Sequence, residues 1–270
     1  MIKSLTIDYK QPLPSGFHYL IGERRKQLLP KNICFKPGLN IIVGENGCGK
    51  STLIKLLAAF CFCENGMPGL PSDVGIWDTV GKIFPKAGFI AKKREYTPIQ
   101  SVKIEHDFDY PVMKMRGIMS YNNDELMSSI QRISDFYYGN SQSGGQNMLH
   151  SIARFAKQVK TVMENYKRHS PIPEGPFNST YQELIEKLKE WIDQTTVPMQ
   201  EGRPTILMDE PDASLDVKRL LMLREWLIES SKNVQSIVVL HNPLLIRSLA
   251  DTGANVIQLS KGYIKLIKQF

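Results

Sequence analysis

Apolar and polar positions change period several times along the chain, and each change marks an element. Lys3–Tyr9, KSLTIDY, alternates as a half-buried strand does. A loop rich in Pro and Gly follows over Gln11–Gly16. Asn40–Gly44, NIIVG, is an unbroken β-rich run that stops at a glycine, and from Lys50 to Phe62 the spacing turns helical. Glu64–Gly81 gains Gly, Pro and Asn and predicts loop. Ser101–Arg116 predicts one or two strands broken at Pro111, because proline has no N–H for a ladder. Asp124–Tyr138 predicts a helix, and helical spacing returns after Gly145 until Pro171–Asn178 breaks it. Asn178, Ser179 and Thr180 offer caps for a helix over Tyr181–Asp193. Thr205–Asp209, TILMD, predicts a buried strand. A helix from Leu215, a strand at Gln235–Leu240, a short helix after Pro243 and two terminal strands, NVIQLS and GYIKLI, complete the pattern. Alternation of this kind predicts an α/β fold with a mainly parallel sheet covered by helices.

Composition narrows the setting. A length of 270 residues suits one large domain or one domain with an inserted lobe. Cys34, Cys48, Cys61 and Cys63 have neither zinc-site nor redox-pair spacing, so a reducing, cytoplasmic setting is expected. The first ten residues are too polar for a signal peptide, and no apolar run reaches the length of a membrane span. Direct membrane insertion is therefore not expected. The net charge of +7 suits nucleotide, nucleic acid or an acidic partner, but it is spread along the chain.

Three stretches carry chemistry. Gly44–Thr52, GENGCGKST, matches G-x-x-x-x-G-K-[ST] in full and lies between an expected strand and an expected helix. Its glycines let backbone N–H groups wrap an anion, and the helix start adds its positive end. Gly44, Glu45, Asn46, Gly47, Cys48, Gly49, Lys50, Ser51 and Thr52 are thus candidate ATP-binding residues. Lys50 should reach the β- and γ-phosphates, and Ser51 should hold Mg2+. Thr205–Asp216, TILMDEPDASLD, leads an apolar strand into paired acids. Asp209 is a candidate Mg2+ ligand and Glu210 a candidate base for a water attacking the γ-phosphate. Without the phosphate loop the same stretch would read as an acidic turn capped by Asp212 or Ser214. His241 follows the apolar strand of VVLHNP, where it could bond the γ-phosphate and sense its loss. A fourth stretch, Ser143-Gly144-Gly145-Gln146, is small and polar and precedes a helix, so it can be a linker or an anion grip.

The order of these motifs resembles the ATP-binding cassette (ABC) ATPase superfamily, over nearly the whole chain from Pro37 to Tyr263. The resemblance makes Ser143–Gln146 the signature, Ser214–Asp216 the D-loop and His241 the switch histidine. It implies a P-loop NTPase head with an antiparallel β lobe and a helical lobe. It also implies two heads pairing head-to-tail, so that Ser143, Gly144, Gly145 and Gln146 bind the γ-phosphate held by another chain. The expected domain is a single one over 1–270, its core at about 1–62 and 203–270 and its signature lobe at about 120–202. Gln100 is a candidate for the family's Q-loop glutamine, and Tyr19 for an aromatic stacked on adenine.

Two departures stand out. Gln142 occupies the position of the usual signature leucine, and a long charged segment over 157–202 separates the signature from Asp209. PGLNIIVGENGCGKSTLI and LHNPLLI are more similar to the soluble branch that includes relatives of SMC, RecF and the OLD nucleases. The expected activity is ATP hydrolysis driving a partner protein or a nucleic-acid process, such as DNA repair or bacterial defence. The alternatives are the nucleotide-binding subunit of a transporter and a slow-turnover, nucleotide-controlled switch.

Overall fold

In the computed structural model, residues 1–14, 16, 17, 20, 27–63, 82–84, 98–107, 110–115, 144–165, 179–198 and 202–269 are described. Eight strands form two sheets among them. β1 (Ile2–Ile7), β2 (Asn32–Cys34) and β4 (Val102–His106) make an antiparallel sheet in the order β2-β1-β4. β3 (Leu39–Val43), β5 (Val112–Lys114), β6 (Thr205–Asp209), β7 (Gln235–Val239) and β8 (Asn255–Gln258) make a parallel sheet in the order β5-β6-β7-β3-β8. The architecture is α/β, a parallel central sheet with a smaller antiparallel sheet beside it. The helices are α1 (Lys50–Phe60), α2 (Gly144–Asn165), α3 (Ser179–Thr195), α4 (Val217–Ser230), α5 (Pro243–Asp251) and α6 (Tyr263–Ile267).

Strand alternation builds two cores from one sheet. Ile42, Leu207, Ile237 and Val239 face α1, α3 and the antiparallel sheet. Their neighbours Ile41, Val43, Ile206, Met208 and Val238 face α2, α4 and α5. Side chains two apart share a face, so central strands buried on both sides read as continuous apolar runs. The helices answer with stripes at helical spacing: Met148, Ile152, Phe155 and Val159 on α2, and Leu184, Leu188, Trp191 and Ile192 on α3.

α3 lies in the segment that the sequence marks as an insertion, and it is seated on the body of the protein. Trp191 meets Phe60 of α1 at a ring-centroid distance of 6.2 Å and Phe62 at 6.4 Å in an edge-on arrangement. Beyond α3, Thr196 bridges to His106, and Val197 N–H donates to His106 O at 3.1 Å, tying the helix end to β4.

One terminal expectation fails. GYIKLI forms α6 instead of a strand. Gly262 enters it with φ 82°, and the Gln258 side chain accepts from Ile264 N–H at 3.1 Å. Tyr263, Ile264 and Ile267 then pack on the second core at helical spacing. The helix expected over Asp124–Tyr138 lies outside the described residues.

Two buried amides tie the sheet together, and one of them reaches the antiparallel sheet. Gln235 Oε1 accepts from Ile2 N–H at 2.8 Å and Thr205 Oγ1 at 2.9 Å, while its Nε2 donates to Ile2 O at 2.8 Å and Lys36 O at 3.0 Å. All four of its hydrogen-bonding positions are used, across both sheets. Asn40 Oδ1 accepts from Lys36 N–H and Asn255 Nδ2, both at 2.8 Å, and its Nδ2 donates to Lys36 O at 2.8 Å. Replacing Gln235 by leucine would strand these buried partners. Gln235→Leu is expected to lower the unfolding free energy by about 3 kcal/mol, read from the urea midpoint.

Candidate nucleotide site

All five strands of the parallel sheet run the same way, so their carboxyl ends open on one edge, where ligands bind in such sheets. Three neighbouring ends supply the candidate chemistry: β3 leads into Gly44–Gly49, β7 into His241, and β6 ends in Asp209 followed by Glu210. Asn46, Gly47, Gly49, Lys50, Ser51, Thr52, Glu210 and His241 line one cleft of about 490 Å³, with Leu28 on its wall.

At two of its glycines the loop leaves no room for a Cβ. A Cβ on Gly44 would lie 2.6 Å from Cys48 Sγ and 3.1 Å from Ser260 Oγ. Gly49 has φ 97° as the N-cap of α1, and a Cβ there would meet Leu28 Cγ at 2.9 Å. Ser260 also accepts from Glu45 N–H at 3.0 Å, so the root of the loop leans on the end of β8. Lys50 is 5% exposed, and its Nζ donates to Gly44 O at 2.8 Å and Glu45 O at 2.9 Å. The ammonium is thus folded into its own loop.

Ser51 Oγ donates to Asp209 Oδ1 at 3.0 Å, joining α1 to β6. Burial pushes the Asp209 carboxyl above its ordinary range and the Glu210 charge adds to this, against the Ser51 bond, Lys114 and Lys55. Ser51 and Asp209 together offer hard oxygen donors, the kind Mg2+ takes. Glu210 has φ 53°, a left-handed conformation that costs a non-glycine residue energy and often marks a functional site. Its N–H still bonds Val239 O at 3.2 Å, and its own carbonyl accepts from Ala213 N–H at 3.1 Å. The side chain is 44% exposed in the cleft, where Oε1 meets His241 Nε2 at 2.8 Å.

Residues 26–115 match the AAA domain family. That stretch holds the phosphate loop and α1. A comparison with curated proteins gives no match. Among solved structures, the chain is similar to a nucleotide-free ATP-binding cassette from an ABC transporter. The identity is 14%, 100% of this chain and 96% of that one are covered, and the TM-score is 0.38. A dimeric ATP-binding cassette in a post-hydrolysis state bound to ADP and Pi shares 17% identity over 97% of this chain and 95% of its own, at a TM-score of 0.38. The cbiO1 protein of Clostridium perfringens, part of the ABC transporter complex cbiONQ, shares 15% identity over 91% and 82%, at a TM-score of 0.33.

The remaining candidates are not among the residues that line this cleft. Gly144, Gly145 and Gln146 form the first turn of α2, while Ser143 and Tyr19 lie outside the described residues. Gln100 is exposed, and its amide turns back to Pro98 O at 3.3 Å. The cap of α4 is neither Asp212 nor Ser214: Asp216 accepts from Arg219 N–H at 2.9 Å. Leu28, Ser260 and Asp212 were not singled out as site residues from the sequence. Their placement is tertiary, and no local pattern announces it.

The raised Asp209 pKa has a consequence for stability. The folded chain holds this proton at pH values where the unfolded chain has released it, so stability falls as pH rises through that window. Asp209→Asn keeps an acceptor for Ser51 and removes the buried charge. The nucleotide-free variant is expected to melt above the wild type at neutral pH, and the difference should shrink as pH falls towards about 4. Thermal unfolding across pH checks this.

Proposed function

We propose that the chain is an ABC-type ATPase that converts ATP and water to ADP and phosphate. Two copies pair head-to-tail on ATP and so drive a partner protein or a nucleic-acid process. The observation that carries this reading is the convergence of Lys50, Ser51, Glu210 and His241 on one cleft at the ends of neighbouring parallel strands. The AAA match over 26–115 supports the nucleotide-binding part.

Lys50 exchanges the carbonyls of Gly44 and Glu45 for phosphate oxygens, and the N–H groups of the loop and the start of α1 hold the rest of the anion. Ser51 and Asp209 would hold Mg2+, which supplies neutralisation of the phosphate charge when bound. Glu210 takes the proton from the attacking water, and His241 orients its carboxylate from 2.8 Å. Ser143, Gly144, Gly145 and Gln146 act on the site of the other copy, where the start of α2 brings N–H groups to the γ-phosphate. Among the described residues no helix is long and apolar enough to cross a membrane. The process we favour is cytoplasmic, in nucleic-acid repair or defence.

Glu210→Gln is expected to bind ATP while its phosphate release falls by about 10²-fold or more, and to accumulate as a dimer. Light scattering with and without ATP reads the second part, and an ATP-loaded variant that stays monomeric would defeat the pairing. Lys50→Ala is expected to lose ATP binding and therefore to stay monomeric with ATP in the same assay.

A further inference from the structure

The turn after β6 carries a third acid, Asp212, which is 6% exposed. Its Oδ2 accepts two backbone N–H bonds, from His241 at 2.8 Å and from Asn242 at 2.6 Å. Those two residues stand immediately before α5. The Asn242 side chain takes the next two donors, Leu244 N–H at 3.0 Å and Leu245 N–H at 3.1 Å. The first donors of α5 are thus divided between a local cap and a carboxylate about thirty residues earlier in the chain.

Capping alone does not account for an aspartate here. Its second oxygen, Oδ1, is buried with no hydrogen-bond partner among the described residues. Serine or asparagine could accept from the same donors without burying a spare carboxylate oxygen, which is unfavourable. What the carboxylate adds is a pair of charge-assisted bonds, shorter and stiffer than neutral ones.

One of those bonds comes from the backbone of His241 and the other from Asn242, and the ring of the histidine touches Glu210 on the same turn. The turn therefore grips His241 twice, at its N–H through Asp212 and at its Nε2 through Glu210. The turn is itself closed by the bond from Ala213 N–H to Glu210 O. We propose that Asp212 is a positioning residue for His241, fixing the 241–242 backbone so that the imidazole stays against the Glu210 carboxylate. The role rests on the ATPase reading above, and it makes Asp212 act only through the histidine.

The test compares wild type, Asp212→Ala and Asp212→Asn, each with His241 intact and with His241→Ala. Asp212→Ala is expected to lower kcat for phosphate release about tenfold and to leave KM for ATP within about threefold. Asp212→Asn should recover only part of the loss, since its side-chain oxygen can accept both N–H bonds but without the charge. In the His241→Ala background, Asp212→Ala should add no further loss, because residues that act as a unit are not additive. An equal loss with and without His241 overturns the assignment. A readout independent of turnover comes from the ring nitrogen resonances of His241 in histidine-labelled protein. Asp212→Ala should move them as Glu210→Gln does, and Asp212→Asn should move them less. An unmoved ring signal in folded Asp212→Ala overturns the assignment. Asp212→Ser, which shortens and neutralises the acceptor, replaces the alanine variant if that one does not fold. A wild type that releases no phosphate overturns the ATPase reading alone, and the ring signal then decides the place of Asp212.

Discussion

The register of β7 is the constraint on which the site depends. Val239 pairs with Ile42 on one side and with Asp209 on the other. The phosphate loop, the acids and the histidine therefore leave the sheet at one height. A slip by one residue would turn every side chain of β7 to the wrong core and carry His241 away from Glu210. Gln235 resists this at the far end of the strand, since its four bonds fit only one position of β7 against Ile2, Lys36 and Thr205. A polar residue at the closed end of the strand thus protects geometry at the open end.

At the open end, local stability is given up. Glu210 sits in a left-handed conformation, Asp209 carries a carboxyl that burial disfavours as an anion, and Asp212 hides an oxygen with no partner among the described residues. Each of these is unfavourable on its own, and the surrounding apolar strands hold them in place. Lys50 shows the opposite arrangement, because loop carbonyls satisfy the ammonium. A phosphate has to displace those bonds, which limits the net gain from the lysine and favours a ligand that also engages the loop N–H groups.

What could be read from the sequence was local. GENGCGKST needs no distant residue to be recognised, because the glycines and Lys50 act within one loop and one helix start. TILMD and QSIVVL were legible as strands because both of their faces are buried, and the apolar stripe of α3 was legible without its partners. The errors and omissions lie where tertiary contacts decide. GYIKLI has a composition that suits a strand, yet Gly262 and the side chain of Gln258 turn it into a short helix. Asn40 and Gln235 interrupt or open apolar runs, a local sign of a buried amide, but only the fold shows which backbone groups they satisfy. Asp212 could be read as a cap for the helix that follows it only with the phosphate loop left aside, and in the fold its carboxylate serves a different helix.

The packing of Trp191 against Phe60 and Phe62 has a mechanical consequence. The helix that begins at the phosphate loop ends against α3, and α3 continues into the strand-like contact with β4. Close-packed interiors transmit displacement because they have little free volume to absorb it. A load applied to α3 or to the antiparallel sheet is therefore borne by the helix that carries Lys50 and Ser51. The indole ring of Trp191 is thus the contact through which a displacement of α3 would reach α1 and the loop before it.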